Sequence, residues 1–197
     1  YNFSAINNGA IRQIGAHYVL LLNDDTQVIS PNWLTDMVGW LEQPGVGAVG
    51  AKLLYTDGTV QHAGVALGIG GVASHPHKRF SRRDAGYHGL LTSVRECSAV
   101  TGACLLTRRD LFWQVGGLEE SLPRAYNDVD YCLRLGERGY RILFTPTAEL
   151  YHHESVSRGR DSRDDAQFQQ AIAWMQRRWG RLLAEDPYYH PQLSLRA

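Results

Sequence analysis

The stretch Tyr18-Val19-Leu20-Leu21-Leu22-Asn23-Asp24-Asp25-Thr26 decides the fold, because an unbroken apolar run meets a block of polar and acidic residues without a spacer. A continuous run of this kind suits a strand covered on both faces in an α/β protein. The acids then stand at its carboxyl end, the edge of an open parallel sheet where ligands bind. Two adjacent carboxylates there repel each other unless a cation or hydrogen-bond donors compensate them, so a hard metal carrying phosphate oxygens is a natural occupant. Asn-Asp-Asp-Thr is equally ordinary turn chemistry, and the stretch alone leaves both readings open.

Composition narrows the setting. The 197 residues suit one domain, or one domain with an appendage, and 44% hydrophobic content supports a sizeable core. Lys+Arg and Asp+Glu both number 20, so no global field draws the chain to nucleic acid or to an anionic membrane. Cys97, Cys104 and Cys132 are odd in number and form no Cys-x-x-Cys pair, which argues for reduced thiols in a cytosolic compartment. No apolar run approaches the roughly 20 residues that span a bilayer.

Outward from the first strand the pattern alternates. Phe3, Ile6, Ala10 and Ile14 recur at helical spacing before it, and a pattern already under way at the first residue reads as a piece of a longer chain. After the acids, Ser30-Pro31 places an N-cap before a helix whose apolar face is Trp33, Met37, Trp40 and Leu41. Residues 46–55 read as a second buried strand, and Asp57-Gly58 turns the chain into Thr59-Val60-Gln61-His62. This order implies a layered α/β sheet.

From Gly64 to Gly89 glycines surround His75, His77, Lys78, Arg79, Arg82, Arg83 and His88, as in a long mobile loop whose basic residues keep it solvated or close it over phosphates. His75-x-His77 has metal-ligand spacing but no third ligand nearby. Residues 94–107 look strand-like, with Thr101-Gly102-Ala103 small enough for close approach by a backbone or a ligand. A short helix over 109–115 ends at Gly116-Gly117. A further helix opens at Asn127, where Asn127 as N-cap and Asp130 three residues on make a capping box. Residues 140–144 form a strand, Pro146 a break, and 148–151 a second extended run leading to His152-His153-Glu154. The last helix carries Phe168, Ile172, Met175, Trp179 and Leu182 on an amphipathic face that packs on the body.

Several stretches together resemble the family 2 glycosyltransferases of GT-A fold. They are Asn2-Phe3-Ser4, Asn8-Gly9, the run from Tyr18 to Thr26, Thr101 to Cys104, Val115 to Leu118, Asn127 to Arg134 with Gly139-Tyr140, and His152 to Gly159, and they occur in the family's order. The resemblance implies a partial GT-A fold, a mixed sheet flanked by helices, over residues 1–160, with 161–197 an amphipathic helix and tail packed on it. It implies transfer of a sugar, with inversion, from a nucleotide-diphosphate donor to a glycan or lipid-linked acceptor in surface polysaccharide synthesis. Asp25 and His152 would hold Mn2+ or Mg2+, and His153 is the weaker candidate. Asn23, Asp24 and Arg158 would contact the donor, with Arg160 beside Arg158. Asp128 would be the general base, and Gly116, Gly117 and Asn127 would wall the acceptor. The implied location is the cytoplasm, at the inner face of the membrane.

The chemistry stands apart from the name. A sugar diphosphate leaves badly unless growing phosphate charge is neutralised, and an acceptor hydroxyl must shed its proton to a nearby carboxylate as it attacks. Two positions depart from the family pattern: Asn23 replaces a common Asp, and Asn127 replaces a common Glu, which should lower the pKa of Asp128 slightly. Family members also begin with strands that hold the nucleotide base. None precedes Tyr1 in this chain, so the expectation is a weak or inactive piece with an exposed sheet edge that invites self-association. Two rival classes use the same residues: a metal-dependent hydrolase built on Asp24, Asp25, His152 and His153, and a non-catalytic glycan-binding or assembly module.

Overall fold

A computed structural model describes residues 1–153 and 166–195. The elements are α1 (Phe3–Gln13), β1 (Tyr18–Leu22), β2 (Thr26–Val28), α2 (Trp33–Leu41), β3 (Val46–Leu54), β4 (Val60–His62), β5 (Ala66–Leu67), β6 (Ala73–Ser74), β7 (Arg95–Glu96), β8 (Cys104–Arg108), α3 (Arg109–Gln114), α4 (Asn127–Glu137), β9 (Arg141–His152) and α5 (Ala166–Ala184). A mixed sheet runs β1-β8-β3-β9-β2, with β4 added on β3 and β7 on β9. Only β3 and β9 pair in parallel, and the other pairs in this sheet are antiparallel. The α/β class and mixed sheet expected from the sequence are present.

Strand direction places the site. Since β1 and β3 both run against β8, and β9 runs with β3, the carboxyl ends of β1 and β9 and the amino end of β8 share one rim. Both sheet faces are covered. Val19 and Leu21 join the larger core with α1, α3, α4 and α5, while Leu20 packs on the smaller one with Met37 and Leu41 of α2. β1 is nevertheless an outer strand, so Tyr18 and Leu22 at its ends are exposed. The longest fully buried strand is β3, whose nine residues are all inside.

Several local expectations change. In α1 the buried face is Ser4, Asn8 and Ile11, and Ile6 is 56% exposed. The reason is the partner: Ser4 donates to the Leu122 carbonyl, and Asn8 both donates to the Leu118 carbonyl and accepts from its N–H, at 2.7 to 2.9 Å. Helix α1 therefore docks on backbone, which asks for polar side chains. Gly117 completes this contact, since its φ is +75° and a Cβ would lie 2.7 Å from Asn8 Oδ1.

Ser30 does not cap α2; its hydroxyl accepts from the Glu149 N–H, and the N-cap is Asn32. The 64–89 segment is packed rather than a mobile loop, with Val65, Leu67, Ile69 and Val72 buried. Arg82 pairs with Glu149 at 2.6 Å and Arg79 with Asp57 at 3.0 Å, so these cations anchor the segment. Residues 94–107 are two strands, β7 and β8, separated by a turn at 101–103. Pro146 does not end a strand but lies in a bulge of β9, where Ala51 pairs with Thr145 and Lys52 already with Glu149.

The capping box is absent. Tyr126, left-handed at φ 62°, caps α4, and Asp130 is fully buried between Arg134 (2.7 Å) and Trp179 Nε1 (2.9 Å). Trp179, Met175, Ala171 and Leu183 are the buried face of α5, each large apolar side chain contributing about 1.5–3 kcal/mol by burial.

Candidate donor and metal site

Asn23-Asp24-Asp25 crosses the rim from the end of β1 to β2 on the far side of β9. The Asn23 N–H donates to the Ala103 carbonyl at 3.0 Å, the His153 N–H donates to the Asp25 carbonyl at 2.9 Å, and Thr26 pairs with His152. These backbone bonds bring Asp25 Oδ1 to 3.1 Å from His152 Nε2, with both side chains largely buried. The His153 ring stacks on Tyr151, so of the two histidines it is His152 that faces the acid. Asp24 is exposed.

Gln61 sets the character of His152. Its Nε2 donates to the His152 carbonyl at 3.2 Å, and its Oε1 lies 2.7 Å from His152 Nδ1. An amide oxygen only accepts, so the imidazole proton belongs on Nδ1. The other ring nitrogen, Nε2, lies 3.0 Å from Asn23 Nδ2 and 3.1 Å from Asp25 Oδ1. Asp25 Oδ1 is buried and accepts no hydrogen bond from the described residues. A neutral imidazole would set a lone pair against the carboxylate, a repulsion relieved by a proton on Nε2 or by a cation held between the two. The donor set, one carboxylate oxygen and one imidazole nitrogen oriented by an amide, fits a divalent metal that keeps further positions for phosphate oxygens. No group of three or more His, Cys, Asp or Glu side chains placed to hold a metal gathers among the described residues.

Asp128 joins the same rim through one turn. Gly102 N–H donates to Asp128 Oδ2 at 2.8 Å, and the next residue's carbonyl, that of Ala103, receives the Asn23 N–H. A methyl at Gly102 would meet Asp128 Cβ at 3.5 Å, an ordinary contact, so the turn contributes its N–H rather than its lack of a side chain. Burial raises the pKa of Asp128, opposed by the N–H groups of Gly102 and Val129 and by Thr101. The direction is opposite to that expected from Asn127, because desolvation outweighs the loss of a neighbouring charge.

The other sequence candidates take different places. Asn127 is buried and donates to the Leu122 carbonyl at 3.2 Å, holding the loop before α4. Gly116 is exposed, and Gly117 is buried under α1 against Asn8 and Phe112. Arg158 and Arg160 lie outside the described residues. His75 does not chelate with His77; its Nδ1 lies 2.8 Å from His62 Nδ1. Burial and neighbouring cations hold both imidazoles neutral, His62 well below its ordinary value and His75 down to about 3. A cavity of about 80 Å3 lies between these parts, lined by Tyr55, Gln61, His62, Lys78, Thr101 and His152 together with His75. Gln61, His62 and Thr101 were not singled out as site residues in the sequence, because neither local spacing nor charge distinguishes them from strand and turn residues.

A GT-A-like mixed sheet with a carboxylate and an imidazole at its rim defines the class as a glycosyltransferase fold. The chain belongs to the family described as glycosyltransferase like family 2, whose model matches residues 3–177. It is 39% identical over its whole length to the O-antigen biosynthesis protein RfbC of Myxococcus xanthus, covering 15% of that protein. Over 72 residues, 36% of this chain and 24% of the relative, it is 44% identical to the N-acetylglucosaminyl-diphospho-decaprenol L-rhamnosyltransferase of Mycobacterium tuberculosis. Alignments to the curated relatives thus span 15% to 24% of their lengths. Among solved structures, GalNAc-T7 with UDP, GalNAc and Mn2+ matches with a TM-score of 0.60 at 13% identity, over 77% of this chain and 30% of that one.

Proposed function

We propose that the chain carries the donor-metal and acceptor side of an inverting glycosyl transfer, from a nucleotide-diphosphate sugar to a hydroxyl of a glycan or lipid-linked acceptor, in surface polysaccharide synthesis. The observation that carries this reading is Asp25 Oδ1, buried, without a hydrogen-bond donor among the described residues and 3.1 Å from His152 Nε2. Mn2+ or Mg2+ held there supplies positive charge against the diphosphate leaving group. The match to a structure containing UDP and Mn2+, and relatives named for O-antigen biosynthesis and rhamnosyl transfer, support the same reading.

In this scheme Asn23 and Asp24 contact the donor, and Arg158 clamps its diphosphate. Asp128 takes the proton of the acceptor hydroxyl, its raised pKa making it a stronger base than an exposed carboxylate. Attack on the face opposite the leaving diphosphate inverts the anomeric centre. Asn127 and the Gly116-Gly117 turn shape the acceptor wall by holding the loop between α3 and α4. The reaction belongs at the cytoplasmic face of the membrane. Among the described residues no helix is long and apolar enough to cross it. The free edge of β1 is the face proposed for self-association.

The test is turnover of labelled nucleotide sugars by the full-length protein with Mn2+ and an extract of bacterial envelope glycolipids. Transfer should occur, and Asp128→Asn should abolish it while Mn2+-dependent nucleotide binding persists. Metal-dependent release of free sugar without transfer to any acceptor would replace this reading with a hydrolase.

A further inference from the structure

The cavity beside His152 shares two lining residues, His75 and Lys78, with a cleft of about 800 Å3, walled by Ile69, Phe80, Tyr87, Leu90, Tyr189 and Leu193. That volume lies within the range of about 300–1,000 Å3 typical of small-molecule sites. Phe80 and Tyr87 are 42% and 49% exposed, an apolar surface in water beside a lined cleft, which marks a binding surface. The junction carries one available cation. Arg79 pairs with Asp57 and lies over the Tyr55 ring, and Arg82 pairs with Glu149. Lys78 is exposed and forms no hydrogen bond or ion pair with another described residue. The two imidazoles next to it, His62 and His75, donate and accept between themselves.

The Lys78 ammonium thus lies between a small, mostly polar cavity that includes His152 and a larger, mostly apolar cleft. A sugar joined through a diphosphate to a hydrocarbon chain presents the complementary order of hydroxyls, anionic charge and apolar tail. We propose that the cleft holds the first part of the apolar chain of a lipid-diphosphate acceptor. Lys78 contacts the diphosphate, and the hydroxyl-bearing edge of the acceptor sugar reaches the cavity between Thr101 and His152. The proposal rests on the transferase reading for the fate of that hydroxyl; recognition of chain and phosphate is measured apart from it.

The test is equilibrium binding, without divalent metal, of farnesyl diphosphate, farnesol and inorganic pyrophosphate to the whole chain. Farnesyl diphosphate should bind at least about tenfold more tightly than either part, and Lys78→Ala should weaken it about tenfold, the loss of one charge-assisted contact. Phe80→Ala should weaken farnesyl diphosphate and farnesol alike. Lys78 and Phe80 are exposed, and Leu193→Glu, which puts a carboxylate into the cleft, is an independent block. Equal binding of farnesol and farnesyl diphosphate, or no effect of Lys78→Ala, would overturn the proposal. So would Lys78-dependent sedimentation with phosphatidylglycerol vesicles that farnesyl diphosphate does not reverse, since the surface would then read membrane headgroups. Asp128→Asn should leave farnesyl diphosphate binding intact. Binding retained without sugar transfer in the wild type counts against the transferase reading alone, and transfer retained without such binding counts against the lipid site alone.

Discussion

Gly102 donates its backbone N–H to Asp128 Oδ2 at 2.8 Å, across 26 residues of sequence. Ala103, the next residue, accepts from Asn23, so one turn before β8 ties the carboxylate at the start of α4 to the acidic segment after β1. The proposed base and the segment bearing the proposed metal ligand Asp25 are thereby bonded to the same turn.

Burial raises the pKa of Asp128 while Thr101 opposes the shift. Since a base works only when deprotonated, turnover should fall as pH drops through this raised value and level off at higher pH. Thr101→Val should move that limb to higher pH, measured as kcat against pH. The stability consequence has the opposite sense. Folded Asp128 keeps its proton where the unfolded chain has released it, so its contribution is full below the ordinary carboxylate pKa and is lost as pH rises through the folded value.

Gln61 orients His152 by two hydrogen bonds. Gln61→Leu should weaken Mn2+ binding by roughly 10- to 100-fold, the usual cost of losing a partner behind a metal ligand. Gln61→Glu keeps an acceptor and should restore much of it. A Mn2+ titration of the thermal midpoint reads both, and unchanged affinity in Gln61→Leu would remove this role.

Trp179 Nε1 satisfies Asp130 Oδ1, which no solvent reaches. Trp179→Phe keeps an aromatic ring but leaves a buried carboxylate oxygen without its donor. Urea unfolding should register a loss of about 1–3 kcal/mol. Trp174→Phe, at a half-buried position on the same helix, should cost less.

All three thiols are buried and free, and burial pushes Cys97 and Cys104 up to about 12 and Cys132 well above its ordinary value. Native protein at pH 8 should therefore resist dithionitrobenzoate, and denaturant should release all three for reaction. Rapid labelling of the native chain would contradict this burial.

Local pattern in the sequence determined a good deal: the apolar run that becomes β1 and halts at Asn23, β3 with Lys52 its one charged residue, the spans of α4 and α5, and the order of the motifs that identify the family. These are legible because helix and strand periods act over a few neighbouring residues. Only the tertiary structure decided which side chains meet. Gln61 reaches His152 across 91 residues and Trp179 reaches Asp130 across 49, while α1 turns Ser4 and Asn8 inward, and Ile6 outward, because its partner is a backbone segment. The same holds for the rim itself. Asp25, His152 and Asp128 converge because β1 and β9 run one way and β8 the other, a matter of strand pairing that leaves no periodic trace along the chain.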